Sequence, residues 1–332
     1  MWPNRQILDL FNIQHPIIQA PMAGACGREM VIATSQAGGL GSLPCAMLSP
    51  EVMRAEVGII RQQTANPINL NFFCHQPAEP NTGRDATWRA ELDRYYVEFG
   101  LDAETKVPAL NRAPIDEDAV EIIEDFKPEV VSFHFGLPAS DLLDRVKATG
   151  AKVISSATTV AEAVWLADNG CDAVIAQGYE AGGHRGIFLS DNIAAQPGTM
   201  ALVPQVVDAV NIPVIAAGGI ADGRGVAAAM ALGAAAAQVG TAYLFTPEAK
   251  ITDLHRAALA GARDDQTALT NVFSGRPARG LINRVMREVG PMSDKTPAFP
   301  TAGGALAPLR AKAEAEGSGD FTSLWSDRRS AA

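Results

Sequence analysis

Eight short apolar runs, each leading into a stretch of helical character, constrain this 332-residue chain more than any other feature. They lie at residues 16–22, 39–44, 68–73, 130–136, 152–157, 173–178, 213–219 and 236–244. The runs are mostly apolar on both parities, as parallel strands covered on two faces require. Helical segments fall at 29–36, at 50–64 with Ser49 as cap and Pro50 in the first helical position, and at 140–149, where Gly150 is the stop. Two more fall at 159–169 with Thr158 as cap, and at 222–232 ended by Gly233. Such alternation gives a parallel sheet, and about eight strands of it close a (β/α)8 TIM barrel of the α/β class.

Two stretches break the rhythm. Residues 74–118 are longer than one crossover helix needs; they are rich in Pro, Asn and Arg at their start and helical around 86–99. Residues 249–308 mix helical pieces with Gly/Pro loops. The expected organisation is a barrel at 1–75 and 119–248, a smaller lid or substrate region from 76–118 and 249–310, and a tail at 311–332. Part of that Ala/Glu/Gly/Ser-rich tail reads as a docking helix with frayed ends.

Charge and cysteine usage narrow the function classes. The formal charge is 27 − 37 = −10, with no Lys/Arg run, which argues against nucleic acid or an anionic membrane as partner. No basic, then apolar, leader is legible at the N-terminus, and no apolar run reaches the roughly 18 residues of a membrane span. The four cysteines, 26, 45, 74 and 171, are far apart and fit reduced thiols and a cytoplasmic location. No metal-ligand spacing is present, so no metal is expected.

The chemistry-bearing residues sit where the strands end. Residues 177–186 read Q-G-Y-E-A-G-G-H-R-G. Glycines 178, 182, 183 and 186 open the backbone to close approach, and His184 stands among them as a titratable ring. Gly218 and Gly219 end the seventh run; Gln238, Val239, Gly240 and Thr241 lie in the eighth. Loops after these two strands commonly cradle a phosphate on backbone amides and a helix N-terminus, although glycines also serve tight turns. Ala20, Pro21 and Met22 end the first run and suit the face of a planar ring, or plug the barrel. Asn71 and Gln177 offer amides to the ring's polar edge, or are ordinary buried amides. His134 ends the fourth run and reads either as a second active histidine or as a core histidine. Glu180 and Arg185 read as a solvated ion pair.

Together, residues 19–25 (QAPMAGA), 71–75 (NFFCH), 132–138 (SFHFGLP) and 177–186, with Gly218-Gly219 and 238–241, resemble the class I nitronate monooxygenases. The resemblance covers residues 14 to 247. It implies non-covalent FMN against Ala20, Pro21, Met22, Asn71, Gln177, Gly182, Gly218, Gly219 and residues 238–241. It implies His184 as active-site base and His134 near the substrate. The substrates would be a small nitronate or nitroalkane together with O2, yielding a carbonyl compound and nitrite or nitrate, a nitroalkane-detoxifying activity. A homodimer is compatible with the chain. The alternative is an NAD(P)H-dependent flavin reductase for quinones or enoyl thioesters. One segment departs from the family: Phe299 stands where a tyrosine is expected, and Gly303 and Ala307 where larger polar groups are expected. A roomier, less polar substrate pocket at Phe299 and Gly303 is the expectation.

Overall fold

The computed structural model describes residues 2, 4–102, 105 and 112–328. Parts of the expected insertion (103, 104 and 106–111) and of the expected tail (329–332) lie outside the described residues. The chain divides into two compact units, Met1–Gln76 with Ala113–Ala181 and Gly186–Ile251, and Pro77–Arg112 with Gly182–Arg185 and Thr252–Ala332.

The first unit is a barrel of eight parallel strands: β1 (Ile17–Gln19), β2 (Gly41–Pro44), β3 (Ile68–Phe73), β4 (Val130–His134), β5 (Lys152–Ala157), β6 (Ala173–Gln177), β8 (Val214–Ala217) and β9 (Ala236–Val239). β1 pairs with β9 on one side; on the other, an Ile18–Leu40 bridge brings it to the start of β2 and closes the ring. Ile7, Leu8 and Phe11 of the helix Gln6–Phe11 form one apolar cluster with Ile18, Leu40, Val130 and Ala173, close to where their strands begin. That cluster fills one end of the barrel and leaves chemistry to the other. A larger cluster packs outward-facing Val, Ile and Leu of the strands against the surrounding helices.

All eight expected strands are present, but several end early for local reasons. β4 stops at His134 because Phe135 and Gly136 both take positive φ, 72° and 91°. β8 stops at Ala217 because Gly218 and Gly219 do the same, at 115° and 69°. The eighth run does not extend to residue 244: after Val239 the chain turns at Gly240 into a 3-10 helix, Thr241–Phe245. The helix expected with Thr158 as its cap is capped one residue later, by Thr159, whose side chain accepts from Glu162 N. Thr158 is otherwise engaged: its amide and hydroxyl both donate to the buried Glu162 carboxylate at 2.6 Å.

The second unit holds the helices Thr82–Glu98, Asp253–Ala260, Arg284–Val289 and Ala302–Ala315, and a small antiparallel sheet. In it β10 (Thr267–Thr270) pairs with β11 (Ala278–Leu281), and β11 pairs with β7 (Gly183–His184). Trp88, Leu92, Tyr95 and Tyr96 pack with Val272, Phe273, Leu306, Leu309 and Phe321 in its core. Trp88 Nε1 donates to Ala302 O at 2.9 Å and Tyr96 OH to Ala305 O at 2.7 Å, which fixes the helix Thr82–Glu98 against Ala302–Ala315. The first of these helices starts four residues before the expected 86, because Asn81 caps it through Arg84 N.

Candidate active site

In the first unit the strand ends bring most of the expected cofactor-binding residues to one rim. Parallel register places Gln19 beside Val239, Gln238 beside Ala217, and Ala217 beside Gln177. Most rim amides are already committed. Gln19 Oε1 accepts from Ser42 N at 2.8 Å, Asn71 Nδ2 donates to Ser132 Oγ at 2.9 Å, and Gln177 Oε1 accepts from Gly186 N at 2.8 Å. Gln238 differs. Its Oε1 is buried and meets no donor among the described residues, an arrangement that costs free energy until a donor arrives.

The glycines of the rim divide by cause. A Cβ on Gly178 would lie 2.0 Å from Thr199 Oγ1, so that residue is glycine for packing. A Cβ on Gly240 would meet nothing closer than Ala20 Cβ at 3.5 Å and Met22 Sδ at 3.7 Å. Between them, Glu180 fastens the loop after β6 by accepting from Thr199 N at 2.7 Å. Glu180 is thus bonded within the barrel, and Arg185 is fully buried, so the two are not the solvated pair that was expected. The helix Gly223–Ala231 does not offer a bare N-terminus to a phosphate, because the Asp222 carboxylate accepts from Arg224 N and Gly225 N. Of the glycines at this rim, Gly240 leaves the most room beside its backbone, whereas Gly218 is closed in by Ala181 and Thr199.

His134 ends β4 with Nδ1 3.2 Å from Ser156 Oγ. Its ring lies 4.5 Å, centroid to centroid, from Phe135. The left-handed Phe135 is held by the buried Ser155, whose Oγ lies 3.1 Å from Phe133 O and 2.8 Å from Gly136 O. A Cβ on Gly186 would sit 3.0 Å from His134 Cε1. Buried thiols line the rim as well; desolvation pushes Cys26, beside Gln19 and Met22, up to about 11, so it stays protonated at neutral pH.

His184 belongs to the second unit. It pairs with Ala278 across β7 and β11, and Arg185 N donates to Pro277 O at 2.8 Å. Its Nε2 lies 2.9 Å from the hydroxyl of the fully buried Ser274. Phe299 meets the imidazole edge-on at 5.4 Å and Trp325 is tilted against it at 5.5 Å. Phe299 can come this close because Gly275, at φ +89°, has no side chain: a Cβ there would lie 2.3 Å from Pro297 O. Trp325 is held in turn by Phe273 at 5.6 Å and by His255 Nε2, 3.1 Å from its carbonyl. Gly182, expected at the cofactor, has a nearer reason to be glycine, since a Cβ would lie 2.6 Å from Asp327 N. Gly303 stands in the first turn of Ala302–Ala315, half-buried.

Sequence reasoning did not single out Ser274 or Trp325. Ser274 lies in the expected lid region and Trp325 in a tail expected to fray. The available signals were a serine next to a glycine in a turn, and a tryptophan close to Phe321 and Leu324 in a segment otherwise small or polar. Among the described residues no group of three or more His, Cys, Asp or Glu is placed to hold a metal, and no helix is long and apolar enough to cross a membrane.

The pattern that defines the nitronate monooxygenases matches residues 4–331. The chain belongs to the nitronate monooxygenase family. It is similar to the nitronate monooxygenase of Pseudomonas aeruginosa, 40% identical over 324 residues, covering 97% of this chain and 92% of the relative. The nitronate monooxygenase of Paraburkholderia phytofirmans is 38% identical over 329 residues, covering 98% and 90%. Among solved structures, nitroalkane oxidase from Streptomyces ansochromogenes superposes with a TM-score of 0.88 at 36% identity, covering 98% of this chain and 93% of that one. FabK from Thermotoga maritima superposes with a TM-score of 0.71 at 28% identity, covering 99% and 90%. As a nitronate monooxygenase family member the chain is an oxidoreductase built on a TIM barrel.

Proposed function

We propose that this chain oxidises small alkyl nitronates, and nitroalkanes after removal of their α-proton, using FMN and O2 and releasing a carbonyl compound with nitrite or nitrate. The observation that carries the reading is His184, a titratable ring in a pocket of aromatic side chains with one nitrogen engaged by a buried hydroxyl. A base near neutral pH needs little more than this. Family membership supports the nitronate substrate class.

The barrel rim fits a flavin. The buried, unpaired Gln238 Oε1 offers an acceptor to a ring N–H, and Gly240, where a Cβ would meet nothing closer than 3.5 Å, leaves backbone open to a phosphate, with Gly218, Gly219 and Thr241 proposed beside it. Residues 20–22, Asn71 and Gln177 complete the proposed cradle. When bound, FMN would supply the electron acceptor and the route to O2. His184 takes the α-proton of a neutral nitroalkane; a substrate supplied as the nitronate has already lost it. His134, with Ser156 Oγ 3.2 Å from its Nδ1, is proposed as the second histidine that acts on the substrate. Phe299 supplies an apolar wall and favours substrates without a second charge.

An anaerobic visible spectrum of the purified protein tests this reading. Loss of the oxidised flavin bands on adding an alkyl nitronate is the expected result. Bands untouched by nitronate but bleached by NADH would favour the reductase reading instead. His184→Asn should lower kcat/KM for a neutral nitroalkane roughly 10²- to 10⁴-fold, the range a positioned base contributes, and should cost much less with preformed nitronate.

A further inference from the structure

We infer that Arg112 and Arg310 together form a binding site for a phosphate-class oxyanion in the second unit. Arg112 Nη1 is buried and meets no acceptor among the described residues. Arg310, on the helix Ala302–Ala315, is near enough for its charge to act on Arg112. Neither guanidinium takes part in a hydrogen bond or ion pair among the described residues. Other arginines of this unit are answered. Arg284 holds Glu98 through Nη1 and Nη2, both at 2.6 Å, and Arg84 Nη2 donates to Asp294 O at 3.1 Å.

A guanidinium does not escape such a setting by losing its proton. Burial first, and then the positive charge of Arg310, press the Arg112 pKa downward, yet a guanidinium stays charged throughout the ordinary pH range. A buried donor without an acceptor costs free energy, and so does a like charge beside it. The helix carries a candidate partner that is engaged elsewhere. Glu314 stands four residues after Arg310, the spacing at which opposite charges meet on a helix; its Oε1 instead accepts from Thr322 Oγ1 at 2.8 Å. Lys312 takes the next carboxylate, Glu316, at 3.4 Å. By helical spacing Gly303 and Ala307 share a face with Arg310, and neither carries a group that could answer a charge.

An external anion removes both costs. Each guanidinium is a planar fork of N–H donors that matches paired oxygens. A dianion cancels both charges, whereas a single carboxylate leaves one of them unbalanced; phosphate supplies the dianion and the oxygens together. The chain carries a formal charge of −10, so the pair is a local reversal of sign rather than part of a general positive field. The inference rests neither on His184 as base nor on where FMN binds.

The test uses the full-length protein with FMN in excess, so that phosphate is not read at the proposed flavin site. Inorganic phosphate is titrated against sodium chloride of equal ionic strength, with binding read by calorimetry and by the melting temperature. The wild-type protein should bind phosphate and melt higher with it. Arg112→Gln and Arg310→Gln should each raise the phosphate dissociation constant about ten- to a hundred-fold, the loss of one hydrogen-bonded charge. Without phosphate, Arg310→Gln should melt no lower than the wild type, because it removes a like charge. AMP, a phosphate monoester, separates the two sources of the anion. Tighter binding of AMP than of phosphate, weakened in both variants, assigns an esterified phosphate; phosphate binding without AMP binding assigns the free ion. No phosphate binding by the wild type, an equal response of all three proteins, or acetate binding as tightly as phosphate overturns the inference. If Arg112→Gln does not fold, the variant of the exposed Arg310 decides it.

Discussion

Gln238 holds a buried acceptor that the proposed cofactor would satisfy. Its buried Oε1 has no donor among the described residues, so the folded chain carries a desolvated acceptor worth about 1–3 kcal/mol. Replacement by leucine, of similar volume, removes that penalty and the docking point together. Gln238→Leu should therefore raise the melting temperature of the cofactor-free protein while weakening FMN binding, as read by flavin titration. A variant with lower cofactor-free stability and unchanged FMN affinity would make the residue structural. At this scale legibility followed sequence distance. The placing of Asn71, His134, Gln177, Gly218 and Gln238 at or near strand ends was legible because a strand end is a local signal. Ser274 was not, since its partner His184 is 90 positions away, and nothing local to a buried serine announces a distant imidazole.

Elements were read well where their punctuation is local. Ser49 caps the helix Pro50–Gln63 through Val52 N, as expected from Ser-Pro at a helix start. The eighth strand was read too long because a 3-10 helix such as Thr241–Phe245 has the same apolar content as a strand. The two-residue strand β7 was invisible for a different reason: its existence depends on β11, more than ninety residues on. Gly275 is the element whose removal tests the His184 surroundings. At φ +89°, with a virtual Cβ 2.7 Å from Phe299 N, Gly275→Ala should destabilise the protein by roughly 1–3 kcal/mol from backbone strain alone. Calorimetry should show this loss, whereas Gly223→Ala, in open space at the start of a helix, should be neutral or slightly stabilising. Equal effects of the two substitutions would refute the close-approach account.

For the whole molecule, acid is the informative variable. Burial lowers the pKa of His255 below its usual 6.5, although the nearby Trp325 carbonyl opposes the shift. In the unfolded chain the ring titrates near that ordinary value. Below it the unfolded state binds more protons than the folded one, so stability is full above pH 6.5 and falls as pH drops toward the folded pKa. His255→Gln keeps a donor for Trp325 and cannot titrate. Urea unfolding across pH 5 to 8 should thus show a shallower acid loss in the variant than in the parent. Identical slopes would assign the acid sensitivity to other groups.

The barrel was legible because alternation recurs eight times along the chain. The second unit is gathered from three separate stretches, residues 77–112, 182–185 and 252–332; the breaks in the alternation marked the first and the last of them, but nothing in the four residues 182–185 announces that they leave the barrel.

The four-residue segment Gly182–Arg185 has a consequence for how such an enzyme diversifies. It is covalently bracketed by barrel sequence, yet its strand pairing and ring contacts come from residues beyond 252. Exchange of the C-terminal quarter between homologues would replace Ser274, Phe299 and Trp325 around His184 without altering one residue of the proposed flavin cradle. Proton chemistry and cofactor retention can thus drift as separate heritable traits, and a recombination library cut at residue 252 would sample the first while holding the second constant.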